Sequence, residues 1–365
     1  MCVKGIACSI VALGLSLGST HSGSAASPDA DLARTFAAIE KLGGTVIVDR
    51  NGGSGPRISV DFWGSEPKVT DAALAKLKGL TQLESLFVRD GEITDAGLEY
   101  LEGLPNLRTL NLGGTKITDR GLEHIKGLTR LQELSLFDTL VTDIGLAGLS
   151  PLTKLRDLRL DGTRVKDAGL QYVKGMRQLR GLGLGGTLVT DAGLANLEGL
   201  VRLQDLDLQS TRVADAGMAH LNGMSEMRRL KLEFTKVGDA GLVHLKGLRS
   251  LQRLDLDFTN VTDAGLAQLR GLTELRVLGL TGTNLTDAGL AYLGHLSSLQ
   301  CLDLRGTEIT DTGLDHLKRL AELRSLSVDG TKVTDAGANS FEKALPCCYV
   351  DLPKRKVDSH KIQPR

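Results

Sequence analysis

The sequence predicts an α/β solenoid, in which short parallel strands alternate with short helices, and three observations predict it. The first is a strict internal period. Asp71, Asp95, Asp119, Asp143, Asp167, Asp191, Asp215, Asp239, Asp263, Asp287, Asp311 and Asp335 follow one another every 24 residues with no insertion. The second is the pattern inside one period. Leu275, Leu278, Leu280 and Leu285, with a polar slot at Thr283, describe a short strand leaving on a turn. Leu266 and Leu269, three apart after Asp263, suit one or two helical turns. The third is composition: with 7 Phe, 4 Tyr and 1 Trp, leucine does the packing, as expected when every core layer has nearly the same shape. A unit this short cannot bury both its apolar faces alone, so copies must stack.

In chain order, residues 1–26 read as an export signal. Lys4 lies near the start, the apolar run Ile6–Leu17 follows, and Ser24-Ala25-Ala26 offers a small-residue cleavage site. The alternative is an apolar helix docked on the first repeat. Residues 27–66 are expected to form an N-terminal cap and an atypical first repeat, since the first turn of a solenoid otherwise exposes its apolar end. There Asp31–Leu42 reads as a helix with Leu32, Phe36, Ile39 and Leu42 on one face, ended by Gly43-Gly44. Thr45–Asp49 and Ile58–Phe62 read as strands; Phe36, Ile39, Phe62 and Trp63 are assigned to capping.

Residues 67–353 are expected to be the solenoid proper, one unbroken domain. Strand pairs run from Leu86/Val88 to Leu326/Val328, with a degenerate last pair at Val350/Leu352. Counting Val60/Phe62, thirteen parallel strands would extend ~58 Å at ~4.8 Å per step. Toward the end Ala338, Phe341, Ala344 and Cys347 replace leucines, as a cap requires. Residues 354–365 read as a mobile basic tail, a charge-guided anchor being the other reading.

Lys+Arg and Asp+Glu balance at 44 each, which argues against nucleic acid or an anionic membrane engaged through bulk charge. Beyond the export signal no apolar run reaches the ~18 residues of a membrane span. Of five cysteines, only Cys301, Cys347 and Cys348 lie outside residues 1–26, and their spacing suits neither a disulfide framework nor a metal motif.

The line L-x-x-L-x-L-x-x-[polar]-x-[IV]-T-D-x-G-L-x-x-L, covering about Ser85–Leu352, resembles the leucine-rich repeat. Within it, the line is similar to the cysteine-containing subclass of F-box leucine-rich-repeat proteins and bacterial GALA-type repeat proteins. The resemblance implies a curved horseshoe with a parallel sheet on the concave face, short helices on the convex face, and binding of proteins on the concave face. Two features depart from it. The slot usually filled by Cys or Asn holds threonine, from Thr115 to Thr331. No segment resembling an F-box precedes the repeats, so ubiquitin-ligase work is not implied.

Stacking turns sequence positions into columns. The aspartate column is read as helix N-caps rather than a calcium ladder, because Lys166, Ala214 and Gly238 replace the preceding Thr while the Asp never changes. The threonine column is read as bridging one turn to the next through the hydroxyl. Tyr100, His124, Tyr172, His220, His244, Tyr292 and His316 share a helical position, five after each Asp. They are assigned to covering the outer groove rather than to zinc. No catalytic grouping stands out from the repeat; Cys301 is a lone thiol without an obvious base. No cofactor is expected.

Function is therefore sought where packing fixes nothing, at the alternate strand residues facing the hollow side. These vary from Asp157, Arg159 and Asp161 to the bare strip Gly181, Gly183, Gly185. The strip is either a trough for a partner's backbone or drift. Arg229, Lys231, Phe234, Arg253, Asp255, Asp257 and Phe258 then combine adjacent aromatics with charge, the composition of a protein-binding hot spot. The two phenylalanines either serve that role or pack on the adjoining loop. The expected function is a non-enzymatic exported scaffold taking a protein or peptide on its concave face. The alternative is an envelope or matrix spacer with no discrete ligand.

Overall fold

The computed structural model describes residues 28–50, 56–62, 64 and 68–352. The export signal, Trp63 and the basic tail lie outside the described residues.

Each turn of the chain lays down one strand and one short helix. Helix α1 (Pro28–Lys41) and strand β1 (Thr45–Asp49) precede β2 (Arg57–Asp61) and β3 (Leu83–Phe87). Strands then recur every 24 residues as β4 (Thr109–Asn111), β5 (Glu133–Ser135), β6 (Asp157–Arg159), β7 (Gly181–Gly183) and β8 (Asp205–Asp207). The series continues with β9 (Arg229–Lys231), β10 (Arg253–Asp255), β11 (Val277–Gly279), β12 (Cys301–Asp303), β13 (Ser325–Ser327) and β14 (Tyr349–Asp351). All pair in chain order in one open sheet of 14 strands. From β4 on the register is in phase, Leu110 on Leu134 and so on to Leu326 on Val350. The thirteen parallel strands expected are β2 to β14. Strand β1 adds an antiparallel edge, pairing Val46 with Val60.

The sheet lines the concave face of the solenoid, and helices of four to ten residues, many continued by a 3₁₀ turn, form the other side. Between them the leucine columns stack into one continuous core, Leu230, Leu254 and Leu278 each fully buried. Burying a leucine is worth ~2 kcal/mol. Repetition of that term holds together elements too short to be stable alone.

The T-D-x-G-L motif has a physical reason that differs from the one expected. The threonine, not the aspartate, is the N-cap: Thr118 is extended (φ −117°) and its hydroxyl accepts from Arg120 N–H at 3.4 Å. The aspartate is the first helical residue, and its carboxylate reaches forward into the next turn. Asp119 Oδ1 accepts from Thr142 N–H and Oδ2 from the Thr142 hydroxyl, both at 2.7 Å. Glycine at the third helical position makes room for this. Asp215 Oδ1 also accepts from Gly241 N–H at 3.0 Å, and a Cβ on Gly241 would lie 2.7 Å from that oxygen. From Asp71 to Asp311 each aspartate thus satisfies free N–H groups at the start of the following helix, where the helix dipole also favours a negative charge.

The threonine column bonds within its own turn, not between turns. Thr211 Oγ1 donates to the Leu208 carbonyl at 2.7 Å, and the same bond recurs from Thr115 to Thr331. These hydroxyls close the turn after each strand and are buried, Thr331 excepted.

The ends close as caps, with small corrections. Ile39 and Phe62 are buried and Leu32 and Phe36 half-buried, but Leu42 is exposed. At the far end helix Asp335–Ala344 buries Ala338 and Phe341. Cys348 and Leu345 complete that cap, whereas Ala344 and Cys347 face solvent. On the convex side Tyr100 and Tyr172 pack half-buried against the core. There His124 and His220 bond Glu102 and Glu198 of the preceding turn at 2.6 and 2.7 Å.

Candidate binding surface on the concave face

The residue after each concave strand segment makes a tight turn with positive φ, held there because its N–H donates to a carbonyl of the next repeat. Glycine fills that position at Gly114, Gly162, Gly186, Gly282, Gly306 and Gly330, and Asp or Ser at Asp90, Asp138 and Ser210. Phe234 and Phe258 are the exceptions. They hold φ of 56° and 55° while donating to the carbonyls of Asp257 and Thr281 at 2.9 and 2.7 Å. A bulky L residue in this region is strained by about 1–2 kcal/mol.

That backbone geometry throws both rings outward. They stack on one another with centroids 4.7 Å apart and planes 12° from parallel, and remain 59 % and 50 % exposed. The reading that they pack on the adjoining loop holds for Phe258: its ring lies over the Gly282 backbone of the next turn, where a Cβ would come within 2.6 Å of it. The outer surface of the pair is left open.

The charged residues form ordered pairs beside the rings. Arg229 binds Asp205 of β8 through Nε and, at 2.8 Å, through Nη2. Lys231 reaches Asp207 at 2.7 Å, and Arg253 reaches Asp255 at 2.7 Å. Asp207 and Asp255 are only 4 % and 3 % exposed, so Asp255 presents Arg253 rather than itself. Asp257 is half-buried and accepts from Thr281 N–H at 2.6 Å. All seven residues singled out from sequence therefore lie on β9 and β10 and the turns leaving them, six of them reaching the surface. The seventh, Asp255, lies beneath them.

Glu233, passed over as a site residue in the sequence, belongs to the same group. Its carboxylate and those of Asp255 and Asp257 lie within 4.8 Å of one another. Its Oε2 is buried with no hydrogen-bond partner. Burial, reinforced by the Asp255 and Asp207 charges, pushes its pKa up to about 7; Lys231 opposes this weakly. Burial also raises Asp257 and Asp157 above the usual carboxylate range. A sequence signal for Glu233 existed, since it directly precedes the strained Phe234 in the column that Asp257 occupies one repeat later.

The glycine strip is not an open trough. Gly181 and Gly183 are buried because Asp157 and the Arg159–Asp161 ion pair (2.8 Å) lean across from β6 and its following turn into the space side chains would fill. Gly185 is covered from the β8 side by Gln209 and Asp207 as well as by Asp161. Beside it lies a shallow hollow of about 380 Å³ floored by Leu182 and Leu206 and walled by Arg159, Arg229, Lys231 and Arg253. A second aromatic feature lies nearer the N-terminus, where the Arg89 guanidinium sits 4.7 Å above the Phe137 ring, which itself covers Gly113.

Among the described residues no helix is long and apolar enough to cross a membrane. Comparison with curated protein sequences gives no match. Among solved structures, the chain is similar to an internalin (inlF) of Listeria monocytogenes (TM-score 0.65, 23 % identity, 90 % of this chain and 96 % of that one). It is also similar to a leucine-rich-repeat protein of Leptospira interrogans (TM-score 0.62, 20 % identity, 76 % and 68 %). A plant peptide hormone receptor, RGFR1 in complex with RGF2, shares the fold at TM-score 0.53 and 18 % identity, over 84 % of this chain and 51 % of that one. A family model described as a leucine-rich repeat region matches residues 82–355, the whole run of repeats after the cap. With period, strand register and family model in agreement, the chain belongs to the leucine-rich-repeat family.

Proposed function

We propose that this chain is an exported, non-enzymatic scaffold that captures a protein or peptide on its concave face. Arg229, Lys231, Phe234, Arg253 and Phe258 are its anchors, Asp255 holds Arg253 in place, and Asp257 stands beside Phe258 in the same patch. One observation carries the reading: two phenylalanines occupy turns where glycine is unstrained, and they do so with half of each ring in water. Core packing gains little from rings so placed, whereas a partner covering them gains the burial of two large aromatics on a rigid support. A rigid sheet also loses little freedom on binding, which favours capture. That a peptide hormone receptor is built on the same fold supports a polypeptide ligand. Lys4, the apolar run Ile6–Leu17 and Ser24-Ala25-Ala26 support export. The T-D-x-G-L line supports placing the repeat in the cysteine-containing subclass, and the threonine in the polar slot is its departure from that pattern.

The test is capture of partners from a native extract by the purified chain, with crosslinked residues mapped by mass spectrometry. One or two partners crosslinked near β9 and β10 are expected. They should be lost on substitution of both Phe234→Ala and Phe258→Ala, with the melting temperature retained. Capture that the double substitution leaves intact would refute the patch. Diffuse crosslinks to many proteins would favour a spacer instead.

A further inference from the structure

The aromatic pair and its charged surround also indicate which polypeptide fits, an inference that rests on the concave-face reading above. Every cation beside the rings is already engaged: Arg229 by Asp205, Lys231 by Asp207, Arg253 by Asp255. Glu233 and Asp257, which flank Phe234 and Phe258 directly in the chain, have no ion-pair partner among the described residues. An acidic ligand could only share a cation already neutralised by its own carboxylate, and would face the two carboxylates left over. A basic ligand meets unpaired carboxylates and, beside them, two ring faces that attract cations. We propose that the patch takes a basic segment of a partner protein, an Arg or Lys side chain seated against Glu233 and Asp257 and an apolar neighbour laid on the Phe234–Phe258 stack.

Charge complementarity decides the sign, and burial supplies the strength. Glu233 stands among Asp207 of β8, Lys231 of β9, and Arg253, Asp255 and Asp257 on and after β10, so negative charge exceeds positive around it. Desolvation, reinforced by this imbalance, raises the Glu233 pKa to about 7. A seated cation reverses that, because the ionised carboxylate is then the favoured form. Binding of a basic segment must therefore tighten as pH rises, by about tenfold between pH 6 and pH 8 when the free group titrates near 7.

The experiment is selection of random phage-displayed peptides on the purified full-length chain at pH 8, followed by binding measurements with synthetic copies of the enriched sequences. Enriched peptides are expected to share an Arg or Lys next to an aromatic or large aliphatic residue. They should lose at least tenfold affinity when that basic residue becomes Gln, or when the chain carries Glu233→Gln with Asp257→Asn, and weaken as pH falls to 6. Peptides that need the Phe pair but carry no basic residue, or that bind only when calcium is added, would overturn the cation assignment and leave concave-face binding standing. Peptides indifferent to Phe234→Ala with Phe258→Ala would overturn both. Melting curves of each variant separate these outcomes from misfolding.

Discussion

Glu233 shows how a single side chain can be costly to the fold and still be placed well for a ligand. A carboxylate whose pKa rises on folding holds its proton more tightly in the native chain than in the unfolded one. Its favourable contribution is whole below the unfolded carboxylate range and is lost as pH climbs through about 7. Glutamine cannot ionise, so Glu233→Gln should match the parent chain's melting temperature at about pH 4, below the unfolded carboxylate pKa, and exceed it at pH 8. Equal melting temperatures at both values would mean that Glu233 escapes to solvent. The phenylalanines beside it follow similar logic: the strain of positive φ is only partly offset by a stack worth ~0.5–1.5 kcal/mol. Half of this was legible in the sequence. The column comparison exposed two aromatics where other turns carry Gly, Asp or Ser, and it located the patch. That glycine there signals positive φ, and hence that phenylalanine there is strained, requires the backbone, as does the missing hydrogen-bond partner that sets Glu233 Oε2 apart from Asp257.

At the scale of the element, the aspartate ladder is the clearest departure from local expectation. A helix read by itself assigns its aspartate to its own N-terminus. The observed bonds run 23 residues forward, a distance at which sequence offers no local cue. The invariance of the column pointed to a structural carboxylate; only stacking reveals whose N–H groups it serves. The two roles are separable by substitution. Asp119 accepts both the N–H and the hydroxyl of Thr142, so Asp119→Ala should cost about 2–3 kcal/mol. Asp191 faces Ala214 and accepts its N–H alone at 2.7 Å, so Asp191→Ala should cost about 1–2 kcal/mol. Denaturant unfolding of the two variants checks this, and equal losses would return the aspartate to capping its own helix. The period made the strand count of the parallel sheet readable residue by residue. The antiparallel pairing of β1 was not readable, because an element outside the repeat has no other copies to be compared with.

At the scale of the molecule, nothing joins distant turns except the turns between them: β4 pairs only with β3 and β5, and β9 only with β8 and β10. Such a chain should tolerate loss of a whole unit while punishing loss of a fraction of one. Removing Asp119–Thr142 joins Thr118 to Asp143 and restores the T-D-x-G-L line. Leu110 of β4 then meets Leu158 of β6, while Asp95 keeps Thr118 and Asp143 keeps Lys166 as their partners. The patch on β9 and β10, four strands beyond β5, keeps every neighbour. Removing one residue fewer or more shifts each later strand against its partner and turns leucines toward the hollow side, because side chains alternate between faces. The 24-residue deletion should therefore melt cooperatively at a lowered temperature and bind any ligand of the Phe234–Phe258 patch with unchanged affinity. The 23-residue deletion should lose both properties. Calorimetry and one binding isotherm on each decide the matter. Loss of binding in the well-folded 24-residue deletion would show that the ligand also grips the turn around Phe137, and so reaches across six of the fourteen strands, from β5 to β10.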